Sequence, residues 1–256
     1  MKNVIKTEQR TQFLSRLDCI FSLNGMSVLL SDTVRERLFA LAVRLTDYNT
    51  RVNLTAITDV DGVILKHFVD SLTVLPLLKD LPEGSTLADV GCGAGFPSLP
   101  IAILRPDLKV TGIDSTAKKL DFIRETATAL GLGNVSTTNA RAEELAKTGS
   151  RESFDAVVAR GVARLDILSE LCIPLVRIGG RFLPMKATLA DEELTEAHTA
   201  IKVLGGKYVS SHPLTITDGT TTDARVNILI EKISATPKEY PRAFGAMKKR
   251  GIGGNK

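Results

Sequence analysis

Cysteine is scarce in this chain, and long apolar stretches are missing. Cys19, Cys92 and Cys172 are the three cysteines in 256 residues. They are too few and too scattered for a disulfide framework or a zinc site, which points to a reducing compartment. No apolar run approaches the ~18 residues needed to cross a bilayer. The opening MKNVIKTEQR has no apolar centre and does not read as a secretion signal. Internal repeats and low-complexity segments are also lacking. The expectation is a soluble, cytoplasmic monomer with no membrane partner and no metal. What is present is ordinary: 43% hydrophobic and 24% charged residues, which excludes disorder and collagen-like repetition. A chain this long buries well over half of its unfolded surface without staples.

Charge becomes informative once it is located. Lys238, Arg242, Lys248, Lys249, Arg250 and Lys256 face a single acidic residue, Glu239, between Thr236 and Lys256. That segment carries +5 of a formal net charge of +4, leaving about −1 for the other 235 residues. It reads either as a solvated terminus or as a mobile arm for a polyanion, RNA foremost, because Lys and Arg gain by displacing condensed counterions.

The first 80 residues carry helical periodicity. Phe13, Leu14, Leu17, Ile20 and Phe21 fall on one face, as do Val34, Leu38, Leu41, Leu45 and Tyr48, with Ser31 as a helix cap. A break follows near Leu81-Pro82-Glu83-Gly84. Beyond it, short β-type runs (Leu87–Val90, Lys109–Ile113, Val135–Thr138, Phe154–Ala159, Arg181–Met185) alternate with helical stretches. The clearest of these is Lys118–Leu130, stopped by Gly131. Alternation predicts an α/β fold with a parallel sheet covered on both faces. After a helix around Asp191–Leu204, the runs Lys207–Ile216 and Arg225–Ile233 are separated by a polar turn with Asp218-Gly219, which predicts a hairpin and one antiparallel strand. The chain divides into a helical layer (1–80), a strand–helix core (81–235) and a basic tail (236–256).

The central motif is Asp89-Val90-Gly91-Cys92-Gly93-Ala94-Gly95-Phe96. It follows an apolar strand and precedes Pro97–Leu104, a stretch that can open a helix with proline in its first turn. Glycine at three alternate positions allows a tight turn and a close backbone approach to a ligand. At the switch point of an open sheet, this is where ligands bind. The spacing G-x-G-x-G departs from the G-x-G-x-x-G of dinucleotide enzymes, which counts against an oxidoreductase. Asp114 ends the next strand, where a carboxylate can accept both ribose hydroxyls. Ala142 and Glu143 follow the third strand, where a loop could clasp an adenine ring. Three such features at successive strand ends point to a nucleoside-type cofactor.

Asp89–Phe96 resembles the S-adenosylmethionine loop of class I methyltransferases. Further blocks narrow the resemblance: Asn53–Ile57, Lys66–Ser71, Gly95–Ser98, Ala159–Ala163, Met185–Ala187 and Pro237–Arg242. Together they are similar to the bacterial small-subunit ribosomal RNA methyltransferase G family, also called glucose-inhibited division protein B, over roughly residues 30 to 245. The resemblance implies a Rossmann-like, seven-stranded, mostly parallel sheet with an N-terminal helical layer and a basic C-terminal tail. It implies S-adenosyl-L-methionine as cofactor, 16S rRNA of the 30S subunit as partner, and methylation of guanine N7 at the position conventionally numbered 527. Carried over by match, Gly91, Gly93, Gly95 and Phe96 line the methionine side of the cofactor pocket, Asp114 and Ser115 the ribose, and Ala142 and Glu143 the adenine. Arg160 faces the pocket and the incoming base. Ser98 and Gly161 stand where many members have glycine and alanine, and the run Ala243-Phe244-Gly245-Ala246 replaces a proline-containing one.

Guanine N7 has a free lone pair and no proton, so its attack needs no general base, and no catalytic residue is assigned. The Asn/Asp-Pro-Pro-aromatic loop common among amine methyltransferases is replaced by Ala159-Arg160-Gly161-Val162. Cys92 and Cys172 read as structural thiols, which argues against carbon methylation through a cysteine. RNA-facing candidates are Arg160, Lys186, Arg225, Lys118, Lys119 and the tail. His67 reads as a core histidine bonded to backbone, and Asn53 as a tether for the helical layer. A methyltransferase fold kept only as a ribosome-assembly factor remains the non-enzymatic alternative.

Overall fold

The computed structural model describes residues 4–188 and 191–253. Among them no helix is long and apolar enough to cross a membrane. Two N-terminal helices, α1 (Arg10–Leu23) and α2 (Asp32–Tyr48), form where the 3.6-residue periodicity places them, and the Ser31 hydroxyl accepts the Val34 N–H as the cap of α2. A short α3 (Val60–Gly62) runs into α4 (Asp70–Leu72) through a π-helical stretch, Val63–Val69. Wide π turns of this kind gather at functional sites, and this one carries Lys66 and His67.

The rest is strand–helix alternation. The order is β1 (Thr86–Val90), α5 (Ser98–Leu104), β2 (Lys109–Asp114), α6 (Ala117–Ala129), β3 (Val135–Asn139) and α7 (Ala142–Leu145). Then come β4 (Phe154–Arg160), α8 (Leu165–Cys172), β5 (Val176–Lys186), α9 (Asp191–Val203), β6 (Gly206–Thr217), β7 (Thr222–Lys232) and α10 (Phe244–Lys249). The seven strands lie in the order β3-β2-β1-β4-β5-β7-β6. All pairs are parallel except those made by β7, the single reversed strand that the hairpin predicted. Pro97 caps α5 instead of entering its first turn, so Ser98 opens the helix.

Side-chain alternation sorts β1 between two cores. Ala88 and Val90 face α8, α9 and α10, together with Val157, Ala159 and Phe182. Leu87 faces the other way, with Val110, Ala156, Val158 and Leu183, over Leu78 and Ile101. A third cluster joins Phe13, Leu17, Leu38 and Leu45 of the helical layer to Leu99 of α5 and Leu120 and Ile123 of α6. The N-terminal helices therefore share a core with the sheet's own helices. This mutual burial holds them beside the strand ends.

Over its described residues, 236–253, the tail is neither frayed nor a free arm. Arg242 donates to the buried Glu170 carboxylate of α8, with Nη2 to Oε2 at 2.5 Å. Arg151 donates to the carbonyls of Thr236, Pro237 and Tyr240, and Met247 and Ile252 are buried against the α8–α9 side. The basic run misled because its apolar residues are sparse; two buried side chains and a buried ion pair are enough to dock it. Lys256 lies outside the described residues.

Candidate functional site

Parallel strands all end on one side of the sheet, so the register decides which residues meet. Val90 pairs with Ile113, Asp114 with Asn139, Arg160 with Met185, and Lys186 with Val226. Two cavities open along this line of strand ends.

The smaller cavity, about 160 Å³, lies over β1–β3 and is lined by Gly91, Asp114, Ser115, Ala142, Glu143, Val162 and Phe244 among others. Gly91 sits at φ +71°, a backbone region that a side chain rarely enters, and a Cβ there would lie 2.7 Å from the Val162 Cγ2. The turn is pinned by the Gly91 and Cys92 N–H groups, both donating to the Ile113 carbonyl. Asp114 is held by two backbone donors, Gly93 N–H on Oδ2 (3.0 Å) and Thr116 N–H on Oδ1 (2.8 Å). A carboxylate offers about four lone-pair positions, so the Asp114 carboxylate keeps acceptor capacity for a diol. Glu143 is buried in the first turn of α7. Gly91, Asp114, Ser115, Ala142 and Glu143 thus come together as the sequence argument required, and a strand-end cradle with a carboxylate at each step fits a nucleoside cofactor.

Gly93, Gly95 and Phe96 serve from behind. Gly93 orients Asp114, and Gly95 (φ +85°) packs so closely on Leu99 that a Cβ would lie 2.7 Å from it. Phe96 stacks on His67 with ring centroids 4.4 Å apart. Asp89, at the base of the turn, is fully buried; its Oδ2 accepts the Ser98 N–H at 3.0 Å while Oδ1 has no partner. Burial pushes the Asp89 carboxyl up to about 6. It also holds the Cys92 and Cys172 thiols well above their usual range, so neither is a nucleophile at neutral pH.

The larger cavity, about 630 Å³, lies over β4, β5 and the start of β7. Arg160, Lys186 and Arg225 line it, as does Lys66 from the π stretch, against two carboxylates, Asp70 and Glu193. Arg160 belongs here and not to the smaller cavity. Asp70 ties the arginines together: Arg160 Nη1 donates to Oδ2 (2.9 Å) and Arg225 Nε to Oδ1 (3.0 Å). Lys186 pairs with Glu193 at 2.6 Å. His67 also lines this cavity; its Nε2 meets the Thr55 hydroxyl at 2.9 Å, not a backbone group, and Nδ1 has no partner among the described residues. Burial, aided by the nearby Arg160 cation, lowers His67 to about 3, so its ring is neutral at pH 7. Loop residues Gly161 and Ala163 line the larger cavity and Val162 the smaller, so this turn is the partition between them.

Lys118 and Lys119 sit on the first turn of α6, outside both cavity walls. Asn49 makes bonds that hold the loop: its side chain accepts the Leu54 and Thr55 N–H groups and donates to the Thr55 carbonyl. Sequence reasoning missed Asp70, Glu193, Val162 and Phe244. Asp70 and Val162 had a signal, as members of the Lys66–Ser71 and Ala159–Ala163 blocks; Glu193 had none.

The family model described as rRNA small subunit methyltransferase G matches residues 34–218. A protein of Lactobacillus delbrueckii subsp. bulgaricus named ribosomal RNA small subunit methyltransferase G is 49% identical over 199 residues, covering 77% of this chain and 82% of that one. Its namesake from Lactobacillus helveticus is 43% identical over 235 residues, covering 91% and 97%. Among solved structures, the cyclase SpnF superposes with a TM-score of 0.50 at 17% identity, over 64% of this chain and 81% of that one. That likeness concerns the fold alone, which hosts more than one chemistry.

Proposed function

The chain belongs to the rRNA small subunit methyltransferase G family, and we propose that it methylates ring nitrogen N7 of guanine 527 in 16S rRNA, using S-adenosylmethionine. The observation that carries this reading is the pair of adjoining cavities at the strand ends. One presents Gly91, Asp114 and Glu143 to a nucleoside; the other presents Lys66, Arg160 and Arg225 to a polyanion. When bound, the cofactor supplies an electrophilic methyl group on a sulfonium.

The chain's own residues account for the rest by placement. Asp114, fixed by two backbone N–H groups, accepts the ribose hydroxyls. Gly91, lacking a Cβ, lets the cofactor's amino-acid end approach the turn backbone once Val162 moves aside. Lys66, Arg160 and Arg225 draw the RNA backbone to the larger cavity, where a base must leave its stack to be reached. Holding the two reactants in line supplies most of the acceleration open to such a displacement. No side chain needs to take a proton, because N7 carries none. The product ring is cationic, and the neutral His67 adds no opposing charge.

The test is to incubate the protein with labelled S-adenosylmethionine and small subunits lacking the modification, then map the label. Label on N7 of a single guanine at position 527 supports the reading. Label on another atom or nucleotide, or on none, rejects it.

A further inference from the structure

The larger cavity contains one ion pair whose geometry suits a base edge better than a phosphate. Lys186 ends β5 and Glu193 lies in the first turns of α9. Their side chains are only 13% and 17% exposed, and Lys186 Nζ lies 2.6 Å from Glu193 Oε1. The same Oε1 accepts the Leu165 N–H at 2.7 Å, at the start of α8. Glu193 is thus fixed from two sides through one oxygen, and Oε2 takes no hydrogen bond among the described residues. The other carboxylate of this wall, Asp70, has both oxygens occupied by Arg160 and Arg225. Asp70 keeps lone pairs but each of its oxygens already faces an arginine, so Glu193 Oε2 is the carboxylate oxygen of this wall that meets no cation among the described residues.

We propose that Lys186 and Glu193 together read the Watson–Crick edge of the target guanine: the Lys186 ammonium donates to O6, and Glu193 Oε2 accepts from N1–H. The inference rests on the larger cavity being the base site. Guanine presents an acceptor, O6, beside a donor, N1–H. A cation beside a carboxylate is the complement of that pattern. Adenine presents the reverse, an amino donor beside the bare N1 acceptor, and so meets a like-natured group at both positions. A phosphate brought to Lys186 would instead face the Glu193 carboxylate at close range, so this pair is a poor anion site; Lys66, 3.8 Å from Asp223, is the less tightly paired cation on the same wall. N7 lies beside O6 on the adjoining Hoogsteen edge, so the ammonium leaves its lone pair free only by approaching O6 from the N1 side, where Glu193 stands. Sites built to bond a particular polar edge reject its analogue strongly, because their own buried groups are left unpaired.

The test measures binding, not turnover. Protein saturated with S-adenosylhomocysteine is titrated by fluorescence anisotropy against one RNA hairpin whose single unpaired loop base is guanine, inosine, 2-aminopurine or adenine. Inosine keeps O6 and N1–H and should bind within about threefold of guanine. Adenine and 2-aminopurine, which lack both, should bind at least about tenfold more weakly. Glu193→Gln should bring guanine and adenine within about threefold of each other while leaving S-adenosylhomocysteine affinity unchanged; the latter reports an intact fold. Should that variant fail to fold, Lys186→Gln carries the same expectation. Equal binding of guanine and adenine by the unaltered protein, or undiminished preference in the variants, overturns the inference and leaves the proposed function standing. Absence of binding to the guanine hairpin, with S-adenosylhomocysteine bound, removes the reading of the cavity and the inference with it.

Discussion

Asp89 and His67 flank the glycine turn and respond to pH in opposite senses. Unfolded, the Asp89 carboxyl loses its proton near 3.8; folded, it does so near 6. The folded state therefore loses stability as pH rises through that window. Asp89→Asn keeps an acceptor for the Ser98 N–H and should stabilise the protein at pH 7.5, on the order of 2 kcal/mol, with the gain vanishing near pH 3.5 in paired melts. His67 takes its proton near 6.5 when unfolded and near 3 when folded, so the native state weakens as pH falls between those values. His67→Phe should flatten the acid limb of the stability profile, and an unchanged limb would contradict the buried, neutral ring. Gly91→Ala places a methyl group against Val162 at a positive φ; we expect a loss of about 1–2 kcal/mol and at least tenfold weaker S-adenosylhomocysteine binding in calorimetry. At this scale the sequence was readable where a residue's place follows from a strand end, as with Gly91, Asp114 and Glu143. It was silent where partners lie far apart in the chain. Asp70 meets Arg160 across 90 residues and Arg225 across 155, and periodicity carries no trace of either contact.

Among the elements, the seven strands follow from β-type runs, and the α6 helix from apolar periodicity closed by glycine. The π stretch at Val63–Val69 did not show in the pattern, because a local widening of the turn changes no residue type. The C-terminal segment was misjudged for a related reason: charge counts describe what a segment could bind, not what it packs against. Arg242 places its guanidinium on a carboxylate with 1% exposure, and removing one partner of a buried pair leaves the other uncompensated. Arg242→Ala should cost about 3 kcal/mol in denaturant unfolding, with Lys248→Ala, on an exposed turn, near neutral. Because Phe244 lines the smaller cavity, truncation after residue 235 should weaken S-adenosylhomocysteine binding as well as stability. Loss of RNA affinity alone, with cofactor affinity intact, would restore the free-arm view.

For the molecule as a whole, one end of the sheet is divided between two tasks: β1–β3 end beside glycine and carboxylates, while β4 and β5 end, and β7 starts, at cations. The partition is a single turn, Gly161–Ala163, which fits two reactants that must meet end to end. The smaller cavity, at about 160 Å³, is below the ~300 Å³ usual for a small-molecule site, and Val162 is the side chain standing over Gly91. Occupation of the site therefore calls for Val162 to give way. The most direct measurement is a crystal structure with S-adenosylhomocysteine. The account places the ribose hydroxyls within hydrogen-bond distance of Asp114, the adenine beside Ala142 and Glu143, and Val162 displaced from Gly91. The ligand bound elsewhere, or Val162 unmoved over a cavity that excludes it, would contradict the account.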